Sequence, residues 1–239
     1  MFQKNSKTKQ KLGYRSLSEC VMDYLKEKLN TGELNPGDEI NVTELLETLG
    51  VSRTPIREAL IQLKKDGYIE NVSRKEFRIK KLSIDEIEYI YQIIGLLESE
   101  AVKITCDKIT EEEILELQEN YEMMKKALAD NDFSSYLNLN DSCHRLFIKY
   151  CNNPILLSII ENLKERLYEF PKIILNISEW ENMMMSDHQQ IIQLFKKRDK
   201  EGLVKLIKNT HWDFKRNYPY ILKYYNIKSE NGSLKEVEK

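Results

Sequence analysis

Val51-Ser-Arg-Thr-Pro-Ile-Arg-Glu-Ala-Leu60 reads as a helix with its beginning marked. Ser52 is a favoured N-cap residue, and Pro55 falls in the first turn, where a missing N–H costs no intrahelical hydrogen bond. Ile56, Ala59, Leu60 and Leu63 recur at i, i+3, i+4 and i+7, the spacing of one apolar helix face. Arg53, Thr54 and Arg57 lie off the centre of that face, crowded at the N-terminal end. That end carries the positive pole of the helix dipole and free N–H groups, which suits phosphates and base edges. The pattern is that of a DNA-recognition helix. Standing alone it would pass for an ordinary surface helix with two arginines, so its flanks decide.

Upstream, Asn41 with Glu44 three residues on resembles a capping box. Val42, Leu45, Leu46 and Leu49 supply the apolar face, and Gly50 stands where a left-handed residue ends a helix. Two short helices joined by a tight glycine-containing turn make a helix-turn-helix. Val21, Leu25 and Leu29 mark an earlier helix, closed by the turn-rich Thr31-Gly-Glu-Leu-Asn-Pro-Gly37. Downstream, 68–72 and 77–79 are short and β-prone enough to form a hairpin with Arg74 and Lys75 at its tip. The whole is a winged helix-turn-helix.

Charge supports the division. The net charge of −2 conceals a basic first third: residues 1–81 carry 16 Lys+Arg against 12 Asp+Glu, and the remainder 21 against 27. A basic part and an acidic part segregated along a chain fit one domain that meets phosphate and one that does not. No apolar run reaches the roughly 18 residues needed to cross a bilayer. The lysine-rich N-terminus has no apolar stretch behind it, so a signal peptide is not expected. Cys20, Cys106, Cys143 and Cys151 show no C-x-x-C spacing, consistent with reduced thiols in a cytoplasmic protein.

From Ser83 onward no alternating strand pattern appears. Amphipathic segments predict helices near 83–106, 110–130, 133–151, 154–176, 179–198 and 200–226. The expected organisation is a DNA-binding domain over 14–81, a helical domain over 83–226, and flexible tails at 1–13 and 227–239. The fold class is mostly α: an α+β winged head followed by an all-α helical bundle. The chain's three histidines, His144, His188 and His211, fall on three of the predicted helices. Asn140 precedes His144 by four residues, which places both on one face. Imidazoles converging in a bundle are one way to hold a divalent ion, Zn²⁺ or Ni²⁺ among them. Core or surface histidines are the other reading, and spacing alone leaves both open.

The head resembles the DNA-binding domain of GntR-family transcription regulators, through Gly32 to Gly37, Leu45 to Gly50, Val51 to Leu60 and Leu63-Lys-Lys-Asp-Gly67. That resemblance implies operator contacts at Arg53, Thr54 and Arg57, beside Ser52, and a wing tip at Arg74 and Lys75 in the minor groove. Glu76 departs from the glycine usual at the wing. Asn140-Asp-Ser-Cys-His144, Asn153-Pro-Ile-Leu156, Asp187-His188-Gln-Gln-Ile191 and His211 are similar to the FCD ligand-binding domain of the FadR branch, an antiparallel helical bundle. It implies a divalent metal at the positions of Asn140, His144, His188 and His211. Asn140 stands where the family has Asp, and Ile94 where an Arg often grips a carboxylate. Tyr91, on the same predicted helix, is a candidate for lining an effector cavity or for core packing.

The expected function is that of a homodimeric, ligand-responsive regulator, most often a repressor in this family. It would read double-stranded operator DNA and sense a small molecule, an organic acid being one candidate class. A metal-free cavity for an organic effector is the alternative. A metal-dependent hydrolase is the rival from another class. H-E-x-x-H, Gly-rich phosphate loops and a G-x-S-x-G elbow are all missing from the sequence, which weighs against it.

Overall fold

The computed structural model describes residues 16–73, 76–169 and 177–225. The chain divides into two compact units, Met1–Lys81 and Leu82–Lys239.

In the first unit, α1 (Leu17–Asn30) opens with a reciprocal capping box between Ser16 and Glu19. Its buried face, Val21, Leu25 and Leu29, packs on α3 (Arg53–Lys65), which buries Ile56, Ala59, Leu60 and Leu63. Between them lies α2 (Val42–Leu49), where the Asn41 side chain accepts from the Thr43 and Glu44 N–H groups. Among the described residues the returning half of the expected box, from Glu44, is not formed. Gly50 ends α2 at φ +62°. An added Cβ there would meet nothing within 4 Å, so its role is purely conformational.

The hairpin forms as β2 (Ile69–Asn71) and β3 (Phe77–Ile79), paired antiparallel with Ile69 opposite Ile79. A third strand, β1 (Glu39–Ile40), pairs along the other edge of β3 to give the order β1-β3-β2. Two residues carry no periodicity, which is why sequence reading misses it. Arg74 and Lys75, expected at the wing tip, lie outside the described residues, as do the expected tails.

The second unit is helical. It comprises α4 (Ile84–Lys108), α5 (Glu111–Ala129), α6 (Phe133–Ile148), α7 (Pro154–Lys164), α8 (Ser178–Lys196), α9 (Lys200–Leu206) and α10 (Phe214–Tyr224). Ser83, Thr110, Asp132 and Asn153 cap the first four with side-chain oxygens. Two expectations need correction. The helix expected over 154–176 ends its α-helical part at Lys164 and continues as a π-helical turn, Glu165–Glu169; 170–176 lie outside the described residues. The single helix expected over 200–226 is three pieces: α9, a π-helical turn at Ile207–His211, and α10 after a break at Trp212 and Asp213. Asp213 makes the break, because its carboxylate caps the Arg216 N–H and starts a new helix. Among the described residues no helix is long and apolar enough to cross a membrane.

Replacing Gly50 by Ala should destabilise the head by about 1–2 kcal/mol, the cost of a left-handed L-residue. The check is hydrogen exchange, which should quicken at the Leu60 and Leu63 amides and leave the second unit unchanged.

Candidate functional site

On the first unit, α3 buries one side and turns Arg53, Thr54 and Arg57 outward from its first turns. Neither guanidinium is paired among the described residues. Ser52 occupies the N-cap with extended backbone, φ −73° and ψ 169°, yet its hydroxyl makes no capping hydrogen bond. Pro55, at the third helical position, removes one of the two N–H groups that a cap could bind. An exposed hydroxyl and two exposed cations therefore cluster at the positive end of a helix.

In the second unit the three histidines converge. α6 supplies His144, α8 supplies His188, and the π-helical turn supplies His211. One ring nitrogen from each lies within 4.8 Å of the others, and all three are buried. Nε2 of His144 and Nε2 of His211 are 3.4 Å apart. Two nitrogens held at about 2.0–2.1 Å from one tetrahedral ion are separated by roughly 3.3–3.4 Å. His188 is fully buried, and neither of its ring nitrogens has a hydrogen-bond partner among the described residues. Buried polar atoms are ordinarily satisfied, so the pair calls for a partner of another kind. A divalent ion fits this donor set.

The electrostatics disfavour a proton charge on His144 and His188. Burial, reinforced by the Lys164 charge and opposed by Glu98, pushes His144 down to about 4. Burial and the two neighbouring imidazoles drive His188 well below its ordinary value. Neutral imidazole is the form that binds a metal. Two buried carboxylates stand behind the histidines. Glu98 Oε1 faces His144 Nδ1 at 3.4 Å and Lys164 Nζ at 2.5 Å, while Oε2 accepts the Trp212 indole N–H at 2.6 Å. Asp187 Oδ2 faces His211 Nδ1 at 3.3 Å, and Arg216 donates to both Asp187 oxygens at 2.5 and 2.9 Å. Burial works to raise both carboxyls. For Glu98, Lys164 and then His144 outweigh it; for Asp187, hydrogen bonds from His211 and Arg216 do.

The π-helical turn that carries His211 is closed by α10. Arg216 donates to the Thr210 carbonyl, and Asn217 donates to the His211 and Asp213 carbonyls while accepting from Trp180 Nε1. A widened turn leaves carbonyls that its own helix cannot satisfy, and these two side chains answer them.

Beside the histidines opens a cavity of about 630 Å³, whose walls include Tyr91, Asn140, His144, Lys164, Glu181 and Trp212. Asn140 lies one turn before His144, as expected. Asp141 ion-pairs with Arg145 near the surface. Tyr91 both lines the cavity and packs, edge-on to Trp212 at 5.2 Å. Ile94 is fully buried in the core and offers no charge. Cys143 is buried too, its Sγ against Met124 Sδ at 3.7 Å, and does not join the histidines.

Glu98, Asp187, Lys164 and Glu181 escaped the sequence reading. A signal existed: Glu98 continues the stripe of Ile87, Ile90 and Ile94, and Asp187 shares a stripe with Ile191 and Phe195. A carboxylate on a core-facing stripe needs a charge partner.

The family pattern of bacterial regulatory proteins, gntR family, matches residues 17–79, and that of the FCD domain matches residues 89–211. The chain is 32% identical over 180 residues to YdhC of Bacillus subtilis (strain 168), named an uncharacterized HTH-type transcriptional regulator. That match spans 74% of this chain and 80% of YdhC. It is 30% identical over 199 residues to the HTH-type transcriptional regulator McbR of Escherichia coli (strain K12), spanning 80% of this chain and 88% of McbR. The solved structure of E. coli McbR/YncC superposes with a TM-score of 0.67 at 26% identity, over 89% of this chain and 100% of that one.

Glu181, 9% exposed, is the cavity's unusual acid: burial, offset in part by the Tyr136 hydroxyl, raises it to about 7. A folded carboxyl titrating near 7 against an ordinary 4.5 binds its proton more tightly than the unfolded chain does. It therefore costs stability as pH rises through that window, in full above it. Glu181→Gln should be more stable than the wild type by about 1–3 kcal/mol at pH 8, and level with it near pH 4. Denaturant titrations followed by Trp180 and Trp212 fluorescence check this; equal stability at pH 8 contradicts it.

Proposed function

The chain belongs to the GntR family of bacterial transcriptional regulators, with an FCD ligand-binding domain, and from that membership we propose how its own residues divide the work. The head reads operator DNA through Arg53 and Arg57, with Thr54 and the uncapped Ser52 hydroxyl beside them and the wing residues Arg74 and Lys75 in support. The second unit holds a divalent ion, Zn²⁺ or Ni²⁺, on His144, His188 and His211, with the Asn140 carbonyl oxygen as a further donor. An effector entering the adjoining cavity meets that ion and changes operator affinity, the protein acting as a repressor in the cytoplasm. The hydrolase reading gives way, because the relatives are regulators.

The observation that carries the metal assignment is His188, fully buried between two imidazoles with neither nitrogen partnered among the described residues. A bound ion would supply an electrophilic centre for oxygen donors. This chain's residues hold the three rings together, disfavour charge on His144 and His188, and shape the cavity. Position 94 offers no Arg, and the cations on the wall are Lys164, paired with Glu98, and Arg145, paired with Asp141. The exposed apolar stripe Tyr89, Ile93 and Leu96 on α4 supports a homodimer, since such patches mark association surfaces. Two heads then match two half-sites. The effector shifts DNA binding only as far as it favours one arrangement of the heads over another.

Arg57→Ala should weaken binding to the protein's own promoter at least tenfold at fixed salt, the loss of a contact worth about 1–3 kcal/mol. A mobility-shift titration measures it, and an unchanged affinity removes Arg57 from the interface. Tag-free protein should carry a divalent ion in elemental analysis, and its Tm should fall on chelation and recover with Zn²⁺ or Ni²⁺. No bound ion and no shift on adding either metal would favour the metal-free cavity. In that case the close Nε2 pair of His144 and His211 is a hydrogen bond between neutral rings.

A further inference from the structure

The two carboxylates behind the histidines share one plan built from unrelated parts. In each, one oxygen faces an imidazole Nδ1 and a cation, and the other accepts from a planar N–H group. The Asp187–His211 contact is a hydrogen bond, whereas Glu98 Oε1 and His144 Nδ1 stand 3.4 Å apart without one. Arg216 serves Asp187 as both cation and planar donor. Glu98 comes from α4 and is met by Lys164 of α7 and the Trp212 indole. Asp187 comes from α8 and is met by Arg216 of α10. Both carboxylates are 0% exposed. A buried ion pair needs only its cation, so the facing imidazole is an addition that charge balance does not require.

We propose that Glu98 and Asp187 are positioning residues that hold His144 and His211 as the Nδ1–H tautomers and turn both Nε2 lone pairs onto one divalent ion. The proposal rests on the metal reading above and deepens it. A carboxylate without a proton can only accept, so the nitrogen facing it must carry the hydrogen. Lys164 Nζ at 2.5 Å from Glu98 and the Arg216 guanidinium on both oxygens of Asp187 leave each carboxylate paired with a cation. The tautomer is thereby decided in the metal-free protein, before any ion arrives. The far nitrogens of the two rings are then both acceptors. They already stand 3.4 Å apart, close to the separation they would have on a single ion. Among the described residues a carboxylate faces one nitrogen of His144 and one of His211 and none faces His188, so two of the three ligands have a backing acid. Groups that orient a ligating histidine typically contribute 10–100-fold in metal affinity.

The test uses the full-length, tag-free protein, with zinc competed against a chromophoric chelator and ring-nitrogen NMR of ¹⁵N-histidine protein without metal. The wild type should show His144 and His211 as Nδ1–H tautomers. Glu98→Gln and Asp187→Asn should each bind zinc about 10–100-fold more weakly. The tautomer signal of the histidine behind the substitution should change and that of the other should not. An Nε2–H tautomer at either ring of the wild type overturns the proposal, and this reading does not depend on any variant folding. Zinc bound as tightly by folded variants as by the wild type also overturns it while leaving the metal site standing. Failure of the wild type to bind zinc removes the metal reading and this inference with it.

Discussion

Charge buried inside the helical unit has to be answered within the fold, and most of the site's form follows from that requirement. An ionised carboxylate without a partner in a protein interior costs several kcal/mol. Glu98 has a cation and a planar donor, Asp187 has one guanidinium that is both, and an imidazole faces one oxygen of each. The same logic explains why burial disfavours charge on His144 and His188. With Lys164 and Arg216 already engaged by acids, a further positive charge on His144 or His188 would stand uncompensated in a dry setting.

Backbone geometry serves the same end. The approach of α4 to the residues after the π-helical turn depends on Gly95, where an added Cβ would fall 3.0 Å from the Trp212 Cβ. That closeness lets the Trp212 indole reach Glu98. The head shows a comparable economy on a smaller scale: Pro55 suits the first turn of α3 and takes away one of the N–H groups that the uncapped Ser52 hydroxyl could bind. One residue type thus both favours the start of the helix and removes a backbone donor there.

The head was the easier part to read, because its information is local. Ser52, Pro55 and the 56-59-60-63 stripe specify a helix without reference to anything distant, and the GntR and FCD matches agree with the resemblance that the motifs carried. The strand at Glu39–Ile40 escaped because its identity lies in its partner, β3, and not in its own two residues. Convergence of the histidines was legible only through family resemblance, since spacing along a chain does not tell which helix faces touch. The break at Trp212 and Asp213 was hidden for a related reason. The apolar periodicity of α9 runs on smoothly toward α10, and only the Asp213 cap and the clasped carbonyls show that the chain turns there.

The FCD match ends at residue 211, on the last of the histidines. What fastens that histidine lies just beyond, in Arg216 and Asn217, which clasp the turn it rides on. A chain cut short between the two would keep every candidate donor atom and lose the clamp that aims the final one. The boundary of the recognisable domain and the boundary of the working centre are therefore different places, and the second is further along.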